Sequence, residues 1–89
     1  MKAYELLEQK GWCQRVLAKD VSGFNVRPED KRACTFCAVG ALYHCYDSDD
    51  AFNITVDLNS IHRKGLVSWN DTTGRTKQEV IDLLKKADV

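Results

Sequence analysis

Three of the four cysteines and one of the two histidines fall within residues 34–45. Cysteine thiolates and histidine imidazoles are the ligands that zinc prefers, and a Cys-x-x-Cys pair such as Cys34 and Cys37 is also the redox motif of thioredoxin-like proteins. The spacing therefore raises three chemistries: a structural zinc, a thiol–disulfide centre, or a cysteine nucleophile activated by histidine. The structural alternative is a buried helix, because free cysteine is among the most buried residue types.

Helix geometry argues against a zinc site that uses all three of these cysteines. The apolar period predicts a helix over residues 30–46. On a continuous helix, Cys34 and Cys45 would lie roughly 16 Å apart along the axis, whereas a zinc–sulfur bond is about 2.3 Å long. Cys34 and Cys37 stay as an alternative zinc pair, and their further ligands would come from Cys13, His44 and His62. Since no second pair has zinc spacing, we favour no metal and no cofactor.

Redox chemistry of the thioredoxin type requires a strand before the Cys-x-x-Cys motif in a βαβ unit. The preceding residues 27–33 are typical of a loop and a first helical turn, so the sequence disfavours that chemistry. A lone nucleophile, Cys13 or Cys37, stays open because sequence does not show which histidine lies beside it. The favoured interpretation is a core helix whose cysteines are small hydrophobes.

The rest of the chain also favours helices. We predict helices over residues 2–10 and 50–64, a short helix or turn over 12–19, and a final helix that starts from a capping box at Thr76. Residues 53–56 are β-branched and compatible with a strand, but we favour helix. Gly40 in the middle of the second long helix predicts a close approach by another helix. The fold class expected is therefore all-α, a compact single domain of four to five short helices over residues 1–89.

Composition excludes several classes of function. The formal net charge is zero, so no global field attracts the chain to nucleic acid or to an anionic membrane. The N-terminal residues carry charges where a signal peptide needs an apolar run, and no apolar stretch is long enough to span a bilayer. We therefore expect a cytoplasmic protein, a monomer or homodimer, with a protein partner rather than a membrane or nucleic acid.

The long connection over residues 66–75 is the most interesting part outside the cysteines, since ordered loops of this length often carry function. Trp69, Asn70, Asp71 and Arg75 are the candidate binding residues. In the functional interpretation, the indole and the carboxylate lie beside Arg75 and form a ligand site. In the structural one, which we favour, Trp69 fills the core while Asn70 and Asp71 bond to local backbone.

Three motifs in this order resemble one family. These are GWCQ at residues 11–14, CAVGAL at 37–42, and WND at 69–71 followed by GRT at 74–76 and EV at 79–80. The chain resembles a small family of bacterial and bacteriophage proteins without an assigned activity, and the match covers nearly its whole length. The resemblance implies the fold class and a phage or bacterial setting. The cysteines in the motifs of the family correspond to Cys13 and Cys37, but not to Cys34 or Cys45. The resemblance therefore does not imply a zinc site made from all four cysteines.

Two main hypotheses for function follow. The first is a non-catalytic binding or regulatory module, phage-encoded and acting on a host protein through a surface patch. The second is a cysteine-dependent or ligand-handling enzyme built on Cys13, Cys37, Trp69 and Asp71, which requires those side chains to converge on one open pocket. A third alternative is a small zinc-stapled domain. The lack of a strong catalytic motif favours the first.

Overall fold

The structure, a computed structural model, describes residues 1–89. It contains five α-helices, one 3₁₀-helix and three strands of two residues each. In chain order these are α1 (Ala3–Gln9), β1 (Gly11–Trp12), β2 (Ala18–Lys19), β3 (Thr35–Phe36), α2 (Ala38–Cys45), α3 (Ser48–Leu58), the 3₁₀-helix (Asn59–Ile61), α4 (Leu66–Asn70) and α5 (Lys77–Lys86). None of the helices combines the length and apolar character needed to cross a membrane.

The three strands form one small mixed sheet with β3 in the centre. β3 runs parallel to β1 and antiparallel to β2, so Thr35 lies opposite Gly11 on one side and Lys19 on the other. The parallel pairing continues past the strand ends, where Cys13 N–H donates to the carbonyl of Phe36 at 3.1 Å. The sheet thus ties the chain after α1 to the chain that leads into α2.

The prediction of an all-α fold is wrong, because the protein combines helices with this sheet. Residues 12–19, expected to form a short helix or turn, contribute to β1 and β2 instead. Each paired residue finds its partner 16 to 24 positions away in the sequence. A two-residue strand shows no alternation of apolar and polar residues, so the period that identifies longer strands is missing here.

The helix predicted over residues 30–46 begins much later than expected. α2 starts after Cys37, whose Sγ accepts a hydrogen bond from the backbone N–H of Gly40 at 3.2 Å and so caps the helix. Residues 35–36, one β-branched and one aromatic, belong to β3 and not to the helix. Cys34 and Cys37 therefore do not lie on a helical face with Cys45, and the predicted alignment of the three thiols is wrong.

Two helix predictions that rest on local signals are confirmed. At the start of α5, Thr76 Oγ1 accepts from Glu79 N–H at 3.2 Å, and Glu79 Oε1 accepts from Thr76 N–H at 2.9 Å, which completes the capping box. α3 includes residues 53–56, so the helical interpretation of that β-branched stretch is right. Asp47 caps α3 by accepting from Asp50 N–H at 2.9 Å.

The chain between α3 and α5 differs from the prediction. We predicted a helix over residues 50–64, but α3 ends at Leu58, six residues before the predicted end. The 3₁₀-helix follows it directly. Gly65 has a φ of +93° and precedes α4 rather than ending a helix. Asn59 Oδ1 accepts from the first N–H of α4, that of Leu66, at 2.8 Å. A short helix therefore occupies half of residues 66–75, which we expected to be a connection.

α2 lies at the centre of a cluster of 16 buried residues and contacts α1, α3, α4 and β3. The closest approach to it is at Gly40, where a Cβ atom would lie 1.8 Å from the carbonyl oxygen of Leu17. The sequence predicted a close contact at this glycine, but the neighbour is the backbone of the segment before β2 and not a second helix. No side chain fits between the two backbones.

We expect Gly40→Ala to destabilise the protein by about 3 kcal/mol, the upper end for an overpacked core, because backbone must move to admit the methyl group. Urea unfolding measures the change. Gly74→Ala is the matched control: Gly74 has a φ of +87° and nothing within 4 Å of the added Cβ, so only backbone strain of about 1–2 kcal/mol applies. Equal losses in the two variants would contradict a steric role for Gly40.

Candidate functional site

The side-chain amide of Asn70, at the end of α4, joins three separate segments of the chain. Its Oδ1 accepts from Trp12 Nε1 at 2.7 Å and from the backbone N–H of Ala38 at 3.0 Å. Its Nδ2 donates to the carbonyl of Cys13 at 3.3 Å and to Asp71 Oδ1 at 2.9 Å. Asn70 is completely buried, and these four bonds use the full capacity of an amide. The buried amide is therefore a structural anchor for β1 and for the start of α2.

Two neighbouring side chains extend this anchor. Gln14 Nε2 donates to the carbonyls of Asn70 at 3.0 Å and Thr72 at 3.1 Å. Asp71 Oδ1 also accepts from the backbone N–H of Arg15 at 2.9 Å. Arg15 has a φ of +76°, a left-handed conformation that is unfavourable for a side chain of this kind. The end of α4 thus holds the segment after β1 in a conformation it would not favour alone.

Trp69 and Arg75 form a separate pair. The Arg75 guanidinium carbon lies 4.1 Å from the centroid of the Trp69 ring, and Nε donates to the Trp69 carbonyl at 3.0 Å. The Arg75 guanidinium also forms an ion pair with Glu79, in which Nη1 lies 3.2 Å from Oε2. No cavity is lined by more than one of the four candidate binding residues Trp69, Asn70, Asp71 and Arg75. Their contacts favour the structural interpretation.

The four residues of the alternative enzyme site lie in different places. Cys13 lines an open cleft beside β1, whereas Cys37 and Asp71 line a separate small cavity and Trp69 lines neither. They therefore do not meet the geometric requirement of a shared open pocket.

The cysteines also lack the partners that metal binding requires. No three histidine, cysteine, aspartate or glutamate side chains lie close enough together to hold an ion. Cys34 and Cys37, the alternative zinc pair, thus have no further ligands within reach. All four cysteines are free thiols.

The histidines make local contacts rather than activating a thiol. His44 Nδ1 lies 2.7 Å from the carbonyl oxygen of Pro28, which only accepts, so this nitrogen carries the proton. The His44 ring packs against Phe36 with the two centroids 4.9 Å apart. His62 Nδ1 accepts from the backbone N–H of Lys64 at 3.0 Å. Neither imidazole is hydrogen-bonded to a cysteine.

Burial keeps the two inner thiols protonated. It raises the pKa of Cys37 to about 11, and the hydrogen bond from Gly40 N–H opposes that rise only in part. Burial also raises the pKa of Cys13, against the opposing effects of the Thr35 hydroxyl and the charge of Lys19. A helix N-terminus commonly activates a cysteine, but here desolvation is the larger effect. Both side chains are neutral thiols at physiological pH and weak nucleophiles.

The small cavity that Cys37 and Asp71 share is the most enclosed of the concave sites, and its surface is mainly apolar. Its volume is about 90 Å³, and it lies between α4 and the turn that precedes β2. Leu17 and Val67 line it and are 40% and 46% exposed, which is high for large aliphatic side chains. We call this cavity the Leu17–Val67 pocket; its lining residues are Arg15, Val16, Leu17, Cys37, Val67 and Asp71. Sequence reasoning missed it, because its two walls are far apart in the chain.

Other exposed apolar side chains have no cavity beside them. Phe52 and Val56 lie one turn apart on α3 and are 57% and 49% exposed, and Val21 and Phe24 lie in the turn after β2. None of the four lines a cavity. Leu17 also lines two clefts beside Arg27 and Pro28, but the Leu17–Val67 pocket is where two exposed aliphatic side chains face one cavity, as they do at protein-binding hot spots.

We expect Asn70→Ala to cost about 3–4 kcal/mol of unfolding free energy, because the Trp12 indole N–H and the Ala38 N–H lose their acceptor inside the protein. Urea unfolding followed by near-ultraviolet circular dichroism measures it. Asn53→Ala is the matched control, since Asn53 is exposed on α3 and its side chain makes no hydrogen bond; that change should stay within about 0.5 kcal/mol. A cost near 1 kcal/mol for Asn70→Ala would contradict its role as an anchor.

Stability should fall with rising pH because of Cys37. Its folded-state pKa of about 11 exceeds the ordinary value of 9.0, so the folded state holds a proton that the unfolded chain releases between those values. The contribution of this thiol is therefore complete below pH 9 and is lost progressively from about pH 9 to 11, by up to roughly 2–3 kcal/mol. Cys37→Ser keeps a helix cap without a group that titrates there. Urea unfolding of both proteins should show a shallower decline in the variant; parallel declines would contradict the assignment.

Comparison with known proteins identifies one matching family. No curated protein and no solved structure matches the chain. A family model described as "Family of unknown function (DUF6197)" matches residues 1–88, which is nearly the whole chain. The protein therefore belongs to this family of unknown function.

Proposed function

We propose that the protein is a non-catalytic module that binds a partner protein by taking one aliphatic side chain of the partner into the Leu17–Val67 pocket. The observation that carries the proposal is the combination of two exposed aliphatic walls with an apolar cavity between them. Binding energy at protein interfaces concentrates where an anchor side chain fills such a pocket and excludes water.

The size of the pocket restricts what enters it. Its 90 Å³ is about three times the share of one water molecule in the liquid, and an apolar cavity of about 150 Å³ is known to hold benzene. A branched aliphatic side chain is therefore a better match than an aromatic ring. Burying one such side chain contributes about 1.5–3 kcal/mol, so contacts around the rim must supply the rest of the affinity.

The rim offers one charge of each sign. Arg15 and Asp71 both line the pocket, and the Asp71 carboxylate is oriented by its bonds to Asn70 Nδ2 and Arg15 N–H. A partner with polar or charged groups on both sides of its aliphatic anchor would satisfy this rim. Rim charges of this kind contribute to orientation and specificity more than to affinity.

The walls of the pocket are held before any partner arrives. Leu17 precedes β2 and its carbonyl accepts from Cys37 N–H at 3.1 Å, while Val67 lies on α4, the helix that Asn70 anchors. A preformed pocket reduces the conformational entropy lost on binding. This rigidity supports a binding role, and the absence of a shared pocket for the cysteine constellation leaves the enzyme hypothesis without a comparable argument.

The biological setting stays a prediction. The resemblance to bacterial and bacteriophage proteins implies a phage or bacterial setting only. The further hypothesis is that the module is phage-encoded and acts on a host protein, where occupation of the host surface would make it regulatory. With a net charge of zero, association would depend on contact at the pocket rather than on long-range electrostatic attraction.

The pocket can be tested with isobutanol, a probe of the size of a leucine side chain. Methyl spectra recorded during a titration should show saturable shifts of Leu17 and Val67, with a dissociation constant on the order of millimolar for so small a ligand. Val67→Glu should abolish these shifts, because a carboxylate replaces one apolar wall. Absence of saturable shifts in the wild type, or equal shifts in Val67→Glu, would overturn the proposal.

Phe52→Glu is the matched control, since it places the same charge on a similarly exposed apolar position of α3. A protein captured from host lysate should bind to the wild type and to Phe52→Glu but not to Val67→Glu. Loss of binding in Phe52→Glu alone would place the interface on α3 and contradict the pocket assignment.

A further inference from the structure

A second concave site lies beside the sheet, on the other side of the segment that follows β1. It is an open cleft of about 500 Å³, which we call the β-sheet cleft; it is lined by Trp12, Cys13, Gln14, Arg15, Lys19 and Thr35. All three strands contribute to it through Trp12, Lys19 and Thr35. Its lining is far more polar than that of the Leu17–Val67 pocket, so the two sites suit different ligands.

The register of the sheet explains how the cleft is formed. Thr35 lies opposite both Gly11 and Lys19, and side chains at paired positions project to the same face of a sheet. Gly11 has no side chain, and a Cβ there would lie 2.8 Å from Thr35 Cγ2. The Thr35 side chain therefore takes the space beside Gly11, and Lys19 extends from the next strand along the same face.

The charges that line the cleft are all positive. Lys19 and Arg15 are its ionisable groups apart from the Cys13 thiol, which burial keeps neutral by raising its pKa. The three ion pairs of the protein are Lys2–Asp88, Arg32–Asp30 and Arg75–Glu79, and none involves these two cations. Neither cationic group makes a hydrogen bond to the chain, although the Asp71 carboxylate binds the backbone N–H of Arg15 from the neighbouring pocket. Two cations without partners face a cleft that contains no acid.

We propose that the β-sheet cleft binds a phosphate monoester through its phosphate group, which lies between Lys19 and Arg15. A phosphate monoester carries a charge between about −1.5 and −2 at neutral pH, which matches two cations, whereas a single carboxylate leaves one of them unpaired. Guanidinium and ammonium groups are both standard phosphate donors.

This site is distinct from the proposed protein-binding pocket, although the two share Arg15. Lys19 lines the cleft only, while Arg15 lines both, so variants of Lys19 separate the two. Cys13 is not needed as a nucleophile: the proposal is reversible binding without a covalent step.

The test is a titration of the full chain with inorganic phosphate at constant ionic strength, followed by amide spectra. We expect saturable shifts at Cys13, Lys19 and Thr35. In Lys19→Gln the affinity should fall roughly tenfold, as for the loss of one charge-assisted hydrogen bond. Lys86→Gln is the matched control, because it removes an exposed lysine of α5 outside the cleft and should leave the affinity unchanged. Equal affinities in the two variants would overturn the proposal.

Two further ligands test the chemical class. Acetate, a monoanion, should bind more weakly than phosphate, and equal binding would overturn the match to a dianion. Adenosine monophosphate, a phosphate monoester, should compete with inorganic phosphate and reproduce its shifts at Cys13, Lys19 and Thr35. If it does not compete, the assignment of a monoester is wrong and the cleft accepts an adventitious ion only.

Discussion

The rest of the structure depends on one buried amide. Asn70 has all four of its hydrogen-bonding positions occupied by groups from the end of β1, the residue after it, the start of α2 and its own neighbour Asp71. A group of this kind is stabilising only when every bond is made, because each unpaired donor or acceptor inside the protein costs about 1–3 kcal/mol. The amide therefore specifies one arrangement of α4, β1 and α2.

Both concave sites follow from that arrangement. The segment between β1 and β2 is held by Gln14, by Asp71 and by the close approach of Leu17 to Gly40. Its two sides form walls of the Leu17–Val67 pocket and of the β-sheet cleft, with Arg15 at the boundary. A short segment in a strained conformation thus separates an apolar site from a cationic one. Strain of this kind persists only where the surroundings determine the conformation fully.

Two of the cysteines have contacts that fit a structural role. Cys37 replaces the usual oxygen-bearing cap at the start of α2, and its thiol remains protonated because burial outweighs the helix terminus. Cys13 lines the β-sheet cleft as a neutral thiol. The expectation that the cysteines behave as small hydrophobes agrees with the burial of Cys13 and Cys37, whereas Cys34 and Cys45 are only partly buried. The continuous helix on which the zinc argument rested does not exist.

The sequence by itself determined the features that depend on neighbours a few positions apart. The capping box of Thr76, the helix α5 that starts from it and the helical character of residues 53–56 are local, and each was predicted correctly. The tertiary structure alone decided where α2 begins, that residues 35–36 form the central strand, and which residues surround the two sites. Those outcomes depend on hydrogen bonds between Asn70 and groups 32 to 58 residues away, and on strand pairs 16 to 24 residues apart. Neither has a local signal, because long-range pairing is decided by which backbone groups meet once the core has formed.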